Sequence, residues 1–238
     1  MEAVIENTQV KVDKTKKEQR TFHVAFIIFL IGQIFLIVST LSYAANINGV
    51  PRIFAMFDIF IVVTNVLHWI ALFILKKVNN SFKLSFYSVS IFLVLLMVHT
   101  IAMSSSESLY VAIGRGLYWS RDIVQCIFYL YFFHGCILFF EKHNLTGGKK
   151  VAIVSLFVLL ALFIASSVLT YLITVRSIQR NFVLYRVMLY SGWGTKFLIY
   201  AYTFVVVIVL GQYLKKMLGP LKKKRNKDEK RKAESVSN

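Results

Sequence analysis

The chain has 238 residues, 57% of them hydrophobic and 16% charged, with a mean hydropathy of +0.64. Soluble domains carry roughly 25% charged residues; here the charges also crowd toward the two ends, which excludes a soluble globular fold and leaves no stretch for a second globular domain. The formal net charge is +17, yet no nucleic-acid-binding motif accompanies it, so no nucleic-acid partner is expected.

Residues 1–21 are polar and mixed in charge and lack the apolar core and cleavage pattern of a signal peptide. They read as a cytoplasmic tail. Lys11, Lys14, Lys16, Lys17 and Arg20 then precede a first apolar span over 22–45, with Gln33 near its centre. Asn46, Asn48, Gly49, Pro51 and Arg52 mark a short loop. A second span covers 54–75, interrupted by Asp58, Thr64, Asn65 and His68. Lys76, Lys77 and Lys83 flank the next turn, and the third span, 84–103, contains His99.

The fourth span is expected from Trp119 to about residue 140, with Arg115 in the preceding loop and Arg121 and Asp122 at its front edge. Gln125 and His134 lie inside it. So do both cysteines, Cys126 and Cys136, about 15 Å apart along a helix and too far for a mutual disulfide. Residues 151–175 form the clearest span, 25 residues without one charge. As a helix they reach about 37 Å, more than the roughly 30 Å hydrocarbon core of a bilayer.

After it, Val175, Ile178, Phe182, Tyr185 and Leu189 recur at steps of three and four, a helical stripe suited to lying on the bilayer surface. The sixth span is expected over 193–214, with Lys196 near its start. Residues 215–238 carry ten Lys or Arg and read as a disordered basic tail that favours anionic lipid on the cytoplasmic side. With six spans both termini share a side. That side carries 21 basic residues against 7 opposite, which places the termini in the cytoplasm.

Charged groups at membrane depth need partners or water. Asp58, His99, Asp122, Gln125 and Lys196 fall in the outer third, so Lys196 is expected to pair with Asp58 or Asp122. Measured from the outer ends of their spans, His68 and His134 both lie about 21–22 Å deep. Thr64 is one turn above His68 on the same face. Three readings of this layer stand side by side: interhelical hydrogen bonding, with Asn65 included; a polar translocation path; and catalysis by an activated hydroxyl. No local ligand motif backs a metal at the histidines, and no cofactor is expected.

The run Phe57-Asp58-Ile59-Phe60-Ile61-Val62-Val63-Thr64-Asn65-Val66-Leu67 resembles the second-span signature of a group of six-span proteins. That group includes the androgen-induced-gene/FAR-17a-like membrane hydrolases and their uncharacterised bacterial relatives. The resemblance covers about 11 of the 238 residues. It implies six spans with cytoplasmic termini and, for the hydrolases, a second-span threonine nucleophile and a fourth-span histidine base acting on fatty-acid esters of hydroxy fatty acids. Thr64 and His134 are the matching positions. Kinship with the bacterial relatives alone does not imply hydrolysis.

The expectation is an all-α polytopic membrane bundle of six transmembrane helices over 22–214, partnered by the lipid bilayer of the cell membrane. Its activity reads as small-solute transport or membrane scaffolding, with an intramembrane lipid-ester hydrolase as the alternative.

Overall fold

In hydrocarbon, a chain satisfies its backbone amides only as helices or as a closed barrel. The computed structural model takes the first route. It describes residues 2–46, 54–104, 108–174 and 181–236, with side chains over 17–41, 60–98, 120, 122–173 and 181–216. Among the described residues there are six helices: α1 (Glu2–Asn46), α2 (Phe54–Leu75), α3 (Asn80–Ser104), α4 (Ser108–Lys142), α5 (Thr146–Thr174) and α6 (Phe182–Val236). Five of them contain stretches long and apolar enough to cross a membrane: Lys17–Leu41, Asn80–Val98, Asp122–Lys142, Thr146–Ile173 and Phe182–Lys216. Helix α2 adds the shorter apolar stretch Phe60–Leu75. The chain is an all-α, multi-pass integral membrane protein, as expected of a protein of the cell membrane.

Several helices outrun the apolar spans that the sequence suggests. Helix α1 begins at Glu2, within the polar segment, and α6 continues through the basic segment to Val236, where disorder was the expectation. Hydrophobicity ends at these points, but helix propensity does not, because Lys, Arg, Glu and Gln are all good helix formers. Helix α4 begins at Ser108, so Arg115 lies in a helix and not in a loop. Residues 182–192 are the first turns of α6 and not a separate surface helix. The cause is local: the Asn181 side chain accepts the Leu184 backbone N–H at 3.1 Å and caps α6 at that point. Val175 and Ile178 of the stripe lie outside the described residues.

Each helix packs on its neighbour in sequence, and α6 closes against α1, so the described helices form a ring in chain order. Short links between packed neighbours make them run antiparallel. Two ends of the ring can be told apart by their ion pairs, one between Lys196 and Asp122 and the other between Lys142 and Glu18. The axis is filled chiefly by α1 and α4, which stand opposite each other. Phe22 stacks on Phe139 at 3.8 Å between ring centroids, and Phe29 stacks on Phe132 at 4.2 Å. Phe82 of α3 closes on both Phe22 and Phe132 edge-on.

Lipid chains are as apolar as leucine, so close backbone approach and interhelical hydrogen bonds hold such a ring together. The α3–α4 seam shows both. Gly135 lets the Phe82 ring lie where a Cβ would stand 2.7 Å away. Asn79 donates to the Gly135 carbonyl at 3.0 Å, and Ser85 donates to the Phe128 carbonyl at 3.0 Å. Val154, Phe157, Ile164, Val168 and Tyr171 of α5 are left exposed, as a lipid-facing surface requires.

Gly135→Ala should therefore lower stability by about 1–3 kcal/mol through overpacking. Gly211→Ala, where nothing lies within 4 Å of the added Cβ, should be neutral or stabilising by up to about 1 kcal/mol from helix propensity. Thermal unfolding of the two variants in one detergent, followed by tryptophan fluorescence, checks the opposite signs.

Candidate functional site

The axial face of α1 carries Gln19, Phe22, Phe26, Phe29 and Gln33, at steps of three and four. The axial face of α4 answers with Phe139, Phe132, Tyr129, Gln125 and Asp122, and His143 lies just past its end. Read along the axis, the two faces give polar residues, then a block of phenylalanine rings, then polar residues again.

At the Lys196 end, the Lys196 ammonium of α6 pairs with the Asp122 carboxylate at 3.0 Å, both side chains about 15% exposed. One turn further in, the Tyr200 hydroxyl donates to Gln125 Oε1 at 3.4 Å. Tyr129 follows Asp122 by seven residues, two helical turns or about 10 Å. There the Gln33 amide nitrogen donates to the Tyr129 hydroxyl at 2.9 Å and meets His68 Nε2 at 3.2 Å. Gln33, Tyr129 and His68 are all buried.

Helix α2 reaches this layer because residue 32 is glycine. A Cβ at Gly32 would lie 2.8 Å from the His68 ring. The Gly32 carbonyl in turn accepts the Thr64 hydroxyl at 3.2 Å. His68 is further wedged between aromatic rings, 4.4 Å from Phe29 and 5.6 Å from Phe128.

Both hydrogens of the Gln33 amide nitrogen are thus engaged, while its Oε1 is buried without a partner. Turning the amide around would only exchange the orphan, leaving the nitrogen unpaired. At the far end of the aromatic block, three more buried polar atoms lack hydrogen-bond partners: Gln19 Oε1, His23 Nδ1 and His143 Nε2. His143 follows the last residue of α4 and touches Phe139, with ring centroids 4.5 Å apart. Burial lowers its pKa below the usual imidazole range; the Glu18 carboxylate pulls it back up, and Lys142 adds to the lowering. An unsatisfied buried polar group typically costs about 1–3 kcal/mol.

The proposed Thr64–His134 pair does not form. Thr64 is spent on the Gly32 carbonyl, and His134 shares a 2.8 Å hydrogen bond with Ser81 on α3. Depth estimates put the two residues in one layer but say nothing about direction around the helix. His134 is five residues from Tyr129, about 140° away around α4, and so it leaves the axis and is exposed beside α3. Asn65 is buried and donates to the carbonyl of Ile61 on its own helix, at 2.7 Å. The side chains of Asp58 and His99 lie outside the described residues. Among the described residues, no three His, Cys, Asp or Glu side chains come together as a metal site would require.

From the sequence alone Gln33 reads only as a polar residue near the centre of the first span, and Tyr129 and Tyr200 do not stand out. Their signal is the spacing Asp122, Gln125, Tyr129 and Lys196, Tyr200, which lines up polar side chains on one face of each helix.

Lys196→Met should leave the Asp122 carboxylate unpaired at the membrane edge. The expected loss is about 1–3 kcal/mol, below the value for a fully buried pair because both groups retain some solvent. Lys196→Met combined with Asp122→Asn should recover most of it. Folded yield and unfolding temperature of the single and double variants measure the coupling; equal losses in both would show that the pair contributes nothing.

Set against models of known protein families, curated proteins and solved structures, the chain finds a match in none of the three.

Proposed function

We propose that the ring carries a small, uncharged polar solute along its axis, through a path that the phenylalanine block closes in the present state. The observation that carries this reading is the buried, unpartnered Oε1 of Gln33 beside Tyr129 and His68. Polar residues that serve only to glue helices have their hydrogen bonds closed, as Thr64, Ser81 and Ser85 do here. Gln33 instead presents a free acceptor to the axis, and orphan polar atoms recur beyond the aromatic block. A solute or water that donates a hydrogen bond would satisfy them.

The preference for an uncharged solute follows from the charges. Gln33, Thr64, Asn65 and Tyr129 around His68 carry none, and nearer the two ends Lys142 pairs with Glu18 and Lys196 with Asp122. The lipid-hydrolase alternative has no such support, since neither Thr64 nor His134 is free to serve the other. A scaffold predicts that the polar layer can be lost without consequence.

Purified protein in liposomes should speed osmotic swelling on at least one member of a panel of small polyols and amides. Gln33→Leu should slow that swelling about tenfold or more, the loss expected when a buried hydrogen-bonding site is made apolar. Phe132→Ala, which thins the block, should raise it. Swelling no faster than in protein-free liposomes, with folded wild type, would favour the scaffold.

The same reading takes the ring to cross the bilayer six times with both termini in the cytoplasm. Helix α2 has 22 residues, about 33 Å, long enough for a sixth crossing. The Lys196 end then faces outward. With Cys126 and Cys136 replaced, a cysteine placed at Asn48 should react with an impermeant maleimide from outside whole cells, and one at Asn144 only after lysis. The reverse pattern would invert the topology.

A further inference from the structure

We propose that His68 Nε2 is a proton-binding site, and that the Gln33 side-chain amide reports its occupancy to Tyr129 by rotating half a turn. The proposal deepens the transport reading, because it makes a proton the species that moves with, or against, the solute.

The Gln33 amide nitrogen has only hydrogens to offer, so a neutral His68 that meets it through Nε2 holds its own ring proton on Nδ1. Nε2 is then a bare lone pair, and it faces the Gln33 amide nitrogen at 3.2 Å. This is an assignment from partners, as proton positions always are. The second hydrogen of that nitrogen goes to the Tyr129 hydroxyl at 2.9 Å.

A proton added to Nε2 sets N–H against N–H at this distance, with no acceptor between them. The amide can relieve the clash by rotating about its terminal torsion, which has two nearly equivalent settings half a turn apart. Oε1 then accepts from Nε2–H, and the Tyr129 hydroxyl turns from acceptor to donor toward the same oxygen. The rotation exchanges the Gln33 N–H bond to Tyr129 for a Tyr129 O–H bond to Oε1, and the amide nitrogen takes the unpartnered place that Oε1 held beforehand. One proton is bound, and no covalent bond changes other than N–H formation at Nε2.

The surroundings suit an imidazolium better than a metal ion or a larger cation. The Phe29 face lies against the ring at 4.4 Å and 25°, and Phe128 lies at 5.6 Å, within the range where an aromatic face attracts a cation. Among the described residues of the other elements packed here, α1 offers Gln33 and the Gly32 backbone, and α4 offers Tyr129, which is titratable. On α2 itself, Thr64 and Asn65 are engaged with backbone carbonyls. Among the described residues, the formal charges nearest on this side of the axis are Asp122 and Lys196, which pair two turns toward the end of the ring, where α6 also holds Tyr200 against Gln125.

The test uses full-length protein in nanodiscs, labelled with 15N in histidine rings and 13C at the tyrosine Cζ, titrated from about pH 8 to about pH 4. His68→Gln and Tyr129→Phe identify the two signals. In wild type, His68 should pass from the Nδ1–H tautomer to imidazolium, and the Tyr129 signal should move with the same midpoint. In Gln33→Leu the Tyr129 signal should no longer follow His68. In Gln33→Glu, an acceptor-only carboxylate beside Nε2 should raise the His68 midpoint by about one pH unit or more, a tenfold gain in proton affinity.

A His68 that stays neutral throughout in folded wild type overturns the proposal, as does a Tyr129 signal that still follows it in Gln33→Leu. Should Gln33→Leu not fold, an unraised midpoint in Gln33→Glu overturns it alone. None of these signals needs a solute. A switch seen without liposome flux would sink the transport reading and keep the proton site; flux without a switch would do the reverse.

Discussion

A ring of helices is held by whatever crosses its axis, and here that is the contact of Phe29 with Phe132. The two rings lie at 4.2 Å and are within 5° of parallel, and Phe29 also lies against His68 and Phe128. Lipid gives helices no hydrophobic reason to associate, so the dispersion of tightly packed rings must supply much of the cohesion. Helices α1 and α4 are opposite members of the ring, yet the phenylalanines between them make a continuous solid from Phe22 and Phe139 up to Phe29 and Phe128. The polar layer begins where this solid ends, because Gln33 is one turn beyond Phe29 on the same face.

Polar side chains in the described part of the bundle fall into two groups. Those between neighbouring helices or turned back on their own helix are satisfied. Ser81 meets His134, Trp69 donates to Ser90, Thr203 donates to the Ile199 carbonyl, and Ser155 to that of Val151. Those at the axis and its Glu18 end include all four buried side-chain atoms without partners found among the described residues. If the polar residues were only adhesive, the unsatisfied atoms would have no reason to collect where helices face a shared centre and not a neighbour. The segregation argues that the centre is kept polar for something that is not protein.

The architecture was legible because it rests on length and composition, which a bilayer reads directly. The uncharged run from 151 to 175 and its sisters needed no tertiary information to be recognised as spans. Boundaries were less so. Apolar spans report where lipid ends, whereas helices end at caps such as Asn181 or at the left-handed Asn144, with φ of 55°. The ion pair was legible: Lys196 was expected to pair with Asp58 or Asp122, and it pairs with Asp122. The site was mostly not legible, since depth along a span can be counted but direction around it cannot. His68 and His134 looked equivalent by depth, but one faces the axis and the other faces α3. Gly32 was silent for a similar reason. A glycine in a helix becomes informative only when the ring pressing on it is known.

Gly32 also fixes how such a bundle could open. The Thr64 hydroxyl on the Gly32 carbonyl and the His68 ring on the Gly32 Cα tie α2 to α1 within one turn. Sliding α2 against α1 would break that hydrogen bond and pull His68 away from Gln33 at the same time. The seam between these helices and the polar layer therefore form one mechanical unit. The aromatic block has no such tie, because Phe22, Phe26 and Phe29 meet Phe132 and Phe139 through ring faces and edges alone. Rotating a phenylalanine side chain breaks no hydrogen bond and strands no polar atom, whereas separating α1 from α2 does both. The easier motion is thus in the side chains of the block, with the helices and the polar layer holding their places.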